Sequence, residues 1–464
     1  MGYRKLGALA MLLGASSLVL SGCGMSGSDP SRSPKDGDAG ATDLSAQIEQ
    51  VSDDDLQGTT ITMARFFGDC NETTDGVTDL EKATTECEAI QILTNKFVAE
   101  NKWGIKVERL GGASWHSYYD GLNTAFASSE RPDIAVMHGS NLPEYAARGI
   151  LLQAPDSFAA EADDYTAPAA SAVEYEGKQY ALPFDSHAIV SHLNMDILRQ
   201  AGLVGEGETY SVPADPDQFL ADATTVKEKT GKTFLDVAMT NDPMASRLWQ
   251  ALIYQQGGTL IDSDTGDVHM NNGAAVKALE YINKLVDGGF IEKTHDYDAS
   301  MQAFLRGESA IMYNGSWAVN QFDAEAPFDY QVTDAPMLFG TPATWANSHV
   351  WVIPVQDNAD PVKYRAAWEL AKFYHENTEI WAIKTGHMPS TKSALTSNEY
   401  LTAPHRDQYL ETAEKYGTLP PRVVEWSAVD SAIQETIEAT WLNGADVQAT
   451  LDTLQSNVEG ILNK

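Results

Sequence analysis

The chain reads as an α/β protein built on mostly parallel sheets with helices on both faces. Three observations predict this: strand and helix patterns alternate from Thr59 onward, the alternation recurs after residue 276, and the length suits two or three domains. Thr60 to Phe66 has the β-branched and aromatic character of a strand. Cys87 to Glu100 follows as a helix, with Ile90, Leu93, Phe97 and Val98 on one face. Ile105 to Leu110 is the next strand, Tyr118 to Ser128 a helix carrying Leu122 and Phe126, and Pro132 to Met137 a buried strand. Further on, Val276 to Val286 is an amphipathic helix stopped by Gly288-Gly289, and Ala299 to Leu305 is another helix, leading into the strand Ala310 to Tyr313. Asp360-Pro361 starts a helix that runs to about His375, with Ala367, Leu370, Ala371 and Tyr374 on its inner face. Ala428 to Leu442 and Val447 to Leu462 close the chain as two helices. No convincing internal repeat is present.

The N-terminus carries an address. Arg4 and Lys5 precede an apolar run from Leu6 to Leu20, which is short of the roughly 20 apolar residues a membrane span requires. Leu20-Ser21-Gly22-Cys23 ends it and resembles a lipobox, so residues 1–22 are expected to be a cleaved signal peptide and Cys23 the lipidated new N-terminus. Residues 23–58 are rich in Gly, Ser, Asp, Pro and Ala and are expected to form a flexible tether, with a short helix possible around Leu44 to Val51. The product is an extracytoplasmic, lipid-anchored protein.

Charge excludes several partners. The formal net charge is −35, and −37 once Arg4 and Lys5 leave with the signal, so nucleic acids and anionic lipid surfaces are repelled. Cys70 and Cys87 are the only cysteines besides Cys23, and an oxidising compartment pairs them as a disulfide. Without CxxC spacing or nearby histidines, a metal site at those two is the weaker alternative.

Six segments, taken in order, resemble family 1 extracellular solute-binding proteins. These are the sugar-capturing subunits of ABC importers, related to the maltose-binding protein. They are Arg131-Pro132-Asp133-Ile134, Tyr145 to Leu152 (YAARGILL), Gly177 to Asn194 (GKQYALPFDSHAIVSHLN), Gln256-Gly257-Gly258, Phe304 to Trp317 (FLRGESAIMYNGSW) and Gly386-His387-Met388-Pro389. The resemblance runs from about Thr60 to the C-terminus. It implies a two-lobed, periplasmic-binding-protein-like fold with the ligand in a cleft between the lobes. Lobe one is then expected at 59–183 plus 345–386, and lobe two at 184–344 plus 387–464. It also implies an oligosaccharide ligand, an ABC permease as partner, no cofactor and a monomeric receptor.

A sugar offers apolar C–H faces and a rim of hydroxyls, so its site wants aromatic platforms beside hydrogen-bonding groups. With 10 Trp and 18 Tyr the chain has more aromatics than its cores require. Trp317, after Asn314-Gly315-Ser316, matches a sugar-stacking tryptophan of the family. Trp426, ahead of the last helices, matches another presented aromatic, with simple packing the alternative. Trp249, near Arg247 and Gln250, is a lobe-two platform candidate, although its helical spacing with Ile253 equally suits a core. His187 takes the family position of a polar sugar contact, and Asp185 either accepts from hydroxyls or steadies the hinge.

In lobe one, His138-Gly139-Ser140-Asn141 follows a strand at its carboxyl end, where open α/β sheets bind ligands, and Asn141 is the preferred contact. Trp115 and His116 are expected in a loop after the Ile105 strand. Trp345, Asn347, His349 and Trp351 alternate, which places them on one strand face with Trp351 buried, and the resemblance implies that this segment re-enters lobe one at the cleft.

Other chemistries find little support. The chain has no GxSxG elbow, HExxH, GxxxxGK loop or dinucleotide fingerprint. Asp262 to Asp267 has the wrong glycine and glutamate offsets for a calcium loop and reads as a polar hairpin turn. No catalytic residue and no metal-ligating set emerges. A surface lipoprotein glycosidase or esterase, or the same fold binding a polyamine or other non-sugar solute, stay as alternatives.

Overall fold

The computed structural model describes residues 44–110, 115–159, 162–262 and 265–463, apart from the side chains of Asn71 and His116. Cys23 and the expected signal peptide lie outside the described residues. The α/β, two-lobed fold is found, and each lobe is built on its own sheet with flanking helices.

The first sheet has five strands in the order Lys106–Arg109, Thr60–Ala64, Ile134–His138, His349–Val352 and Ala181–Pro183. Its first three strands are parallel, with Thr60 opposite Lys106 and Met63 opposite Ile134, as strand-helix-strand units require. His349–Val352 then pairs antiparallel with both of its neighbours.

The second sheet is organised around one long, fully buried strand, Asp185–Asn194. Ser309–Gly315, Tyr330–Asp334, Thr344–Asn347 and Met388–Pro389 all pair antiparallel with it. The mostly parallel arrangement expected from alternation therefore describes half of the first sheet and not the second. There, several chain segments return to the same strand instead of advancing by helical crossovers.

Alternation along that strand divides the second lobe's interior. Ile189 and Leu193 face one apolar cluster with Leu235, Ile311 and Trp345, while Ala188 and Val190 face another with Phe304, Phe322 and Tyr409. The first lobe has a single core that includes Ile61, Leu93, Val136, Trp351 and Trp368.

Among the described residues the chain passes between the lobes three times. The first crossing is Phe184 to Asp185, between Ala181–Pro183 and the long strand. The second is Ser348, which separates Thr344–Asn347 in the second sheet from His349–Val352 in the first. At the third, the helix Thr378–Thr385 leads through Gly386-His387 into Met388–Pro389. The register sets the three side by side, with Asn347 opposite His187 and Pro389 opposite Asp185.

Several expectations change. The re-entry into lobe one comes at Ser348 and not at residue 345. Trp345 and Asn347 thus belong to the second sheet, and the single alternating strand of residues 345–351 is two strands in different sheets. The tether expected over residues 23–58 is packed from Leu44 onward: residues 44–50 are helical, and Ile48 and Leu56 are fully buried in the first core. Polar composition masked the apolar series Leu44, Ile48, Val51 and Leu56, whose burial against lobe one offsets the ordering entropy. Asp53 reinforces it by accepting from the indole N–H of Trp103 at 2.8 Å.

The helix near the C-terminus of lobe one begins as read, with Asp360 accepting from the Val362 N–H at 3.0 Å and Pro361 in its first turn. Cys70 and Cys87 form a disulfide, with Cα atoms 6.0 Å apart. Around the turn expected at Asp262 to Asp267, Ile261 bridges Val268 and the Asp262 N–H donates to the Asp267 carbonyl, while residues 263–264 lie outside the described residues.

Candidate ligand-binding site

A cavity of about 340 Å³ lies where the lobes meet over the three crossings. Its lobe-one wall is made by Phe66 and Phe67, just beyond the strand Thr60–Ala64, by His138 at the end of Ile134–His138, and by Trp115. These are carboxyl ends of parallel strands, where an open sheet leaves room for a ligand. Phe66 stacks on His138, with ring centroids 5.0 Å apart and planes 2° apart, so the wall is rigid.

The lobe-two wall consists of Asp242, Met244, Arg247, Tyr297, Trp317 and Trp345. Trp317 follows the strand Ser309–Gly315 and is half-buried, and its indole N–H donates to the Tyr297 hydroxyl at 2.9 Å. Its polar edge is thus satisfied and its ring carbons remain for apolar contact. The Arg247 guanidinium sits 4.0 Å over the Trp345 ring and 6.0 Å from Trp115 on the opposite lobe. Its Nε–H is buried without a hydrogen-bond partner among the described residues, a donor suited to a ligand hydroxyl.

His187, His349, His387 and the half-buried Glu86 form the floor. Behind them lies Asp185, fully buried. It accepts from the Trp381 indole at 2.7 Å and the His349 backbone N–H at 3.1 Å, and its oxygens stand 2.9 Å from His349 Nδ1 and 3.3 Å from His187 Nδ1. Burial by itself would raise the Asp185 carboxyl, but the neighbouring His349 and His387 rings and the hydrogen bonds with His187 and His349 outweigh it and hold it well below the usual range. Burial pushes His187 down to about 4 and His387 to about 3, and Glu86 up to about 8 with help from Asp185.

Away from the floor, a one-way chain of hydrogen bonds runs from the second crossing to the lip of the cleft. The Asn347 amide donates to the Ser140 hydroxyl at 2.8 Å, Ser140 to the Asn141 carbonyl at 3.0 Å, the Asn141 amide to Ser427 at 3.0 Å, and Ser427 to Glu144 at 2.9 Å. Ser427 belongs to the helix Trp426–Asn443 packed in lobe two, so this chain joins the lobes. Arg422, just ahead of that helix, also donates to the Glu174 carbonyl.

Of the residues singled out from sequence, Trp317, His187, His138, Trp115, Trp345 and His349 line the cavity. Trp115 opens the helix Trp115–Phe126 and is not in a loop, and nothing is described of the His116 side chain. Trp249 does not line it: the ring is fully buried in the lobe-two core and its N–H donates to the Ala275 carbonyl, so its helical spacing with Ile253 marked packing. Trp426 is likewise buried in that core. Asn314 is fully buried, its amide turned to Tyr297 and Met301. Asp185 stands behind the histidines as a support, and Asn141 serves the inter-lobe chain and does not line the cavity.

Phe66, Phe67, Glu86, Asp242, Met244, Tyr297 and His387 were not singled out. The strand-end rule applied at His138 would have found Phe66 and Phe67, and His387 lay inside a recognised segment, whereas Tyr297 carries no local signal. The structure also gathers Asp185, His187, His349 and His387 into one group where the sequence offered no metal-ligating set.

Two α/β lobes crossed three times and enclosing an aromatic-walled cavity define a solute-binding protein. The model for the bacterial extracellular solute-binding protein family matches residues 93–408, and the chain belongs to that family. It is 21% identical over 345 residues to the maltotriose-binding protein of Pyrococcus abyssi, covering 73% of this chain and 72% of that one. It is 25% identical over 352 residues to the diacetylchitobiose-binding protein DasA of Streptomyces coelicolor, covering 73% and 78%. Among solved structures it resembles the GacH receptor of Streptomyces glaucescens, with a TM-score of 0.74 at 19% identity over 88% of this chain and 99% of that one.

Proposed function

We propose that this chain is the substrate-binding subunit of an ABC importer, capturing a neutral oligosaccharide between its lobes and delivering it to the permease. The observation that carries the reading is the cavity itself. Half-buried Trp317 and Trp115 line it from separate lobes, with Arg247 and a floor of histidines supplying polar contacts. At about 340 Å³ the cavity lies near the lower end of the roughly 300–1,000 Å³ usual for small-molecule sites, which favours a short sugar. Ligand contacts to both walls stabilise the closed arrangement, so capture is a population shift toward the form the permease recognises. The named ligands of the relatives, maltotriose and diacetylchitobiose, support the class of solute.

Lipidation at Cys23 holds the receptor at the outer face of the membrane, and the Cys23→Ser protein is expected in the medium instead of the membrane fraction. For the ligand, the test is a calorimetric and thermal-shift screen against maltotriose, longer maltodextrins, lactose and diacetylchitobiose. A sugar that binds, raises the melting temperature and is recovered intact supports a receptor. Cleaved products, or binding only to an amine or peptide, would overturn this reading.

A further inference from the structure

The floor of the cavity contains a set of groups whose spacing sugar recognition does not explain. One ligand-capable atom from each of Asp185, His187, His349 and His387 lies within 4.8 Å of the other three, and all four residues are buried. They come from every crossing: Asp185 and His187 follow the first, His349 the second and His387 the third. The Asp185 carboxylate is 2.9 Å from His349 Nδ1, 3.3 Å from His187 Nδ1 and 3.8 Å from His387 Nε2. Around a tetrahedral zinc ion with bonds of about 2.0–2.1 Å, neighbouring ligand atoms stand about 3.3 Å apart, in the middle of these separations. Three imidazoles and one carboxylate suit a borderline divalent ion, whereas calcium and magnesium demand a shell of oxygens.

Hydrogen-bond bookkeeping at His387 supplies a second, independent observation. The Thr385 hydroxyl donates to the Trp381 carbonyl at 2.7 Å, so in its 2.8 Å contact with His387 Nδ1 it accepts, and Nδ1 carries the proton. Nε2 of the neutral ring is then a lone pair. Among the described residues it is buried without a hydrogen-bond partner, and the carboxylate it faces is Asp185 at 3.8 Å. Acceptor against acceptor is unfavourable, and a cation between them turns the conflict into ligation. The supporting contacts have the form that metal sites use: Thr385 holds the outer nitrogen of His387, and Trp381 with the His349 backbone N–H orients Asp185.

We propose that Asp185, His187, His349 and His387 bind one divalent transition cation of the zinc class, which ties the three inter-lobe crossings together beneath the ligand cavity. Such an ion stiffens the hinge at the point where the lobes share backbone.

The test uses the untagged mature chain, stripped with a chelator and desalted, with the cation alone as probe. Its failure would leave the sugar reading untouched. Calorimetry with Zn²⁺ is expected to give one equivalent per chain and a raised melting temperature, and Co²⁺ to give the intense visible bands of a tetrahedral, nitrogen-rich site. His349→Gln and His387→Gln are expected to lower affinity at least tenfold, while His405→Gln, at a half-buried site beside Asp323 and outside the cavity, leaves it unchanged. If the floor variants do not fold, the Zn²⁺ stoichiometry and the Co²⁺ spectrum of the parent protein decide. Absence of stoichiometric binding, a weak octahedral Co²⁺ spectrum, or binding that survives in folded His349→Gln and His387→Gln would each overturn the proposal.

Discussion

The floor and the walls of the cavity are assembled on different principles. Apart from Glu86, the floor consists of residues at or beside the three crossings, crowded around the buried carboxylate of Asp185. The walls are aromatic side chains delivered separately by each lobe, several of them half-buried, with Arg247 of lobe two reaching to 6.0 Å from Trp115 of lobe one. The floor therefore belongs to the stability of the folded chain, and the walls to the difference between open and closed. Substitutions should separate the two.

The largest effect is expected at Asp185. Asp185→Ala strips the charge and acceptor from beneath His187, His349 and Trp381, and should cost about 3–5 kcal/mol of unfolding free energy in denaturant titrations. A loss below about 1 kcal/mol would mean that the floor is not structural. Next comes the disulfide: replacing Cys70 and Cys87 by Ser opens a loop of 17 residues' separation and should cost about 3 kcal/mol. An unchanged melting temperature under oxidising conditions would contradict this.

The walls should behave in the opposite way. Trp317→Ala is expected to weaken sugar binding by about 1–3 kcal/mol through the loss of an apolar face while the melting temperature of the free protein moves little. Equal losses in binding and stability would collapse the distinction between floor and wall. The smallest effect is at the lip. Ser427→Ala removes one donor and one acceptor from the inter-lobe chain and should weaken calorimetric affinity by about 0.5–1.5 kcal/mol without altering the unfolding of either lobe.

Features governed by near neighbours in sequence were readable. The helix capped by Asp360-Pro361, the two terminal helices and the strand at Thr60 each carry their own periodicity, and each is found. What failed depended on distant partners. Trp249 and Trp317 both stand among polar residues, but one is enclosed by the helices of lobe two and the other reaches the cavity. Alternation from Trp345 to Trp351 continues unbroken in sequence although Ser348 hands the chain from one sheet to another. The histidine group draws on positions 185, 187, 349 and 387, whose proximity follows only from the three crossings lying side by side. Residues 44–58 looked like linker because composition averages over the few apolar side chains that anchor them.

The disulfide has a consequence for timing. Cys70 lies just after Phe67 and Gly68, and Cys87 adjoins Glu86, so the bond joins two backbone stretches that both border the cavity. Cytosolic thiols stay reduced, and this link closes only after the chain has left the cell interior. Oxidation on the far side of the membrane thereby gives the cavity its full bracing in the compartment where solute is to be found.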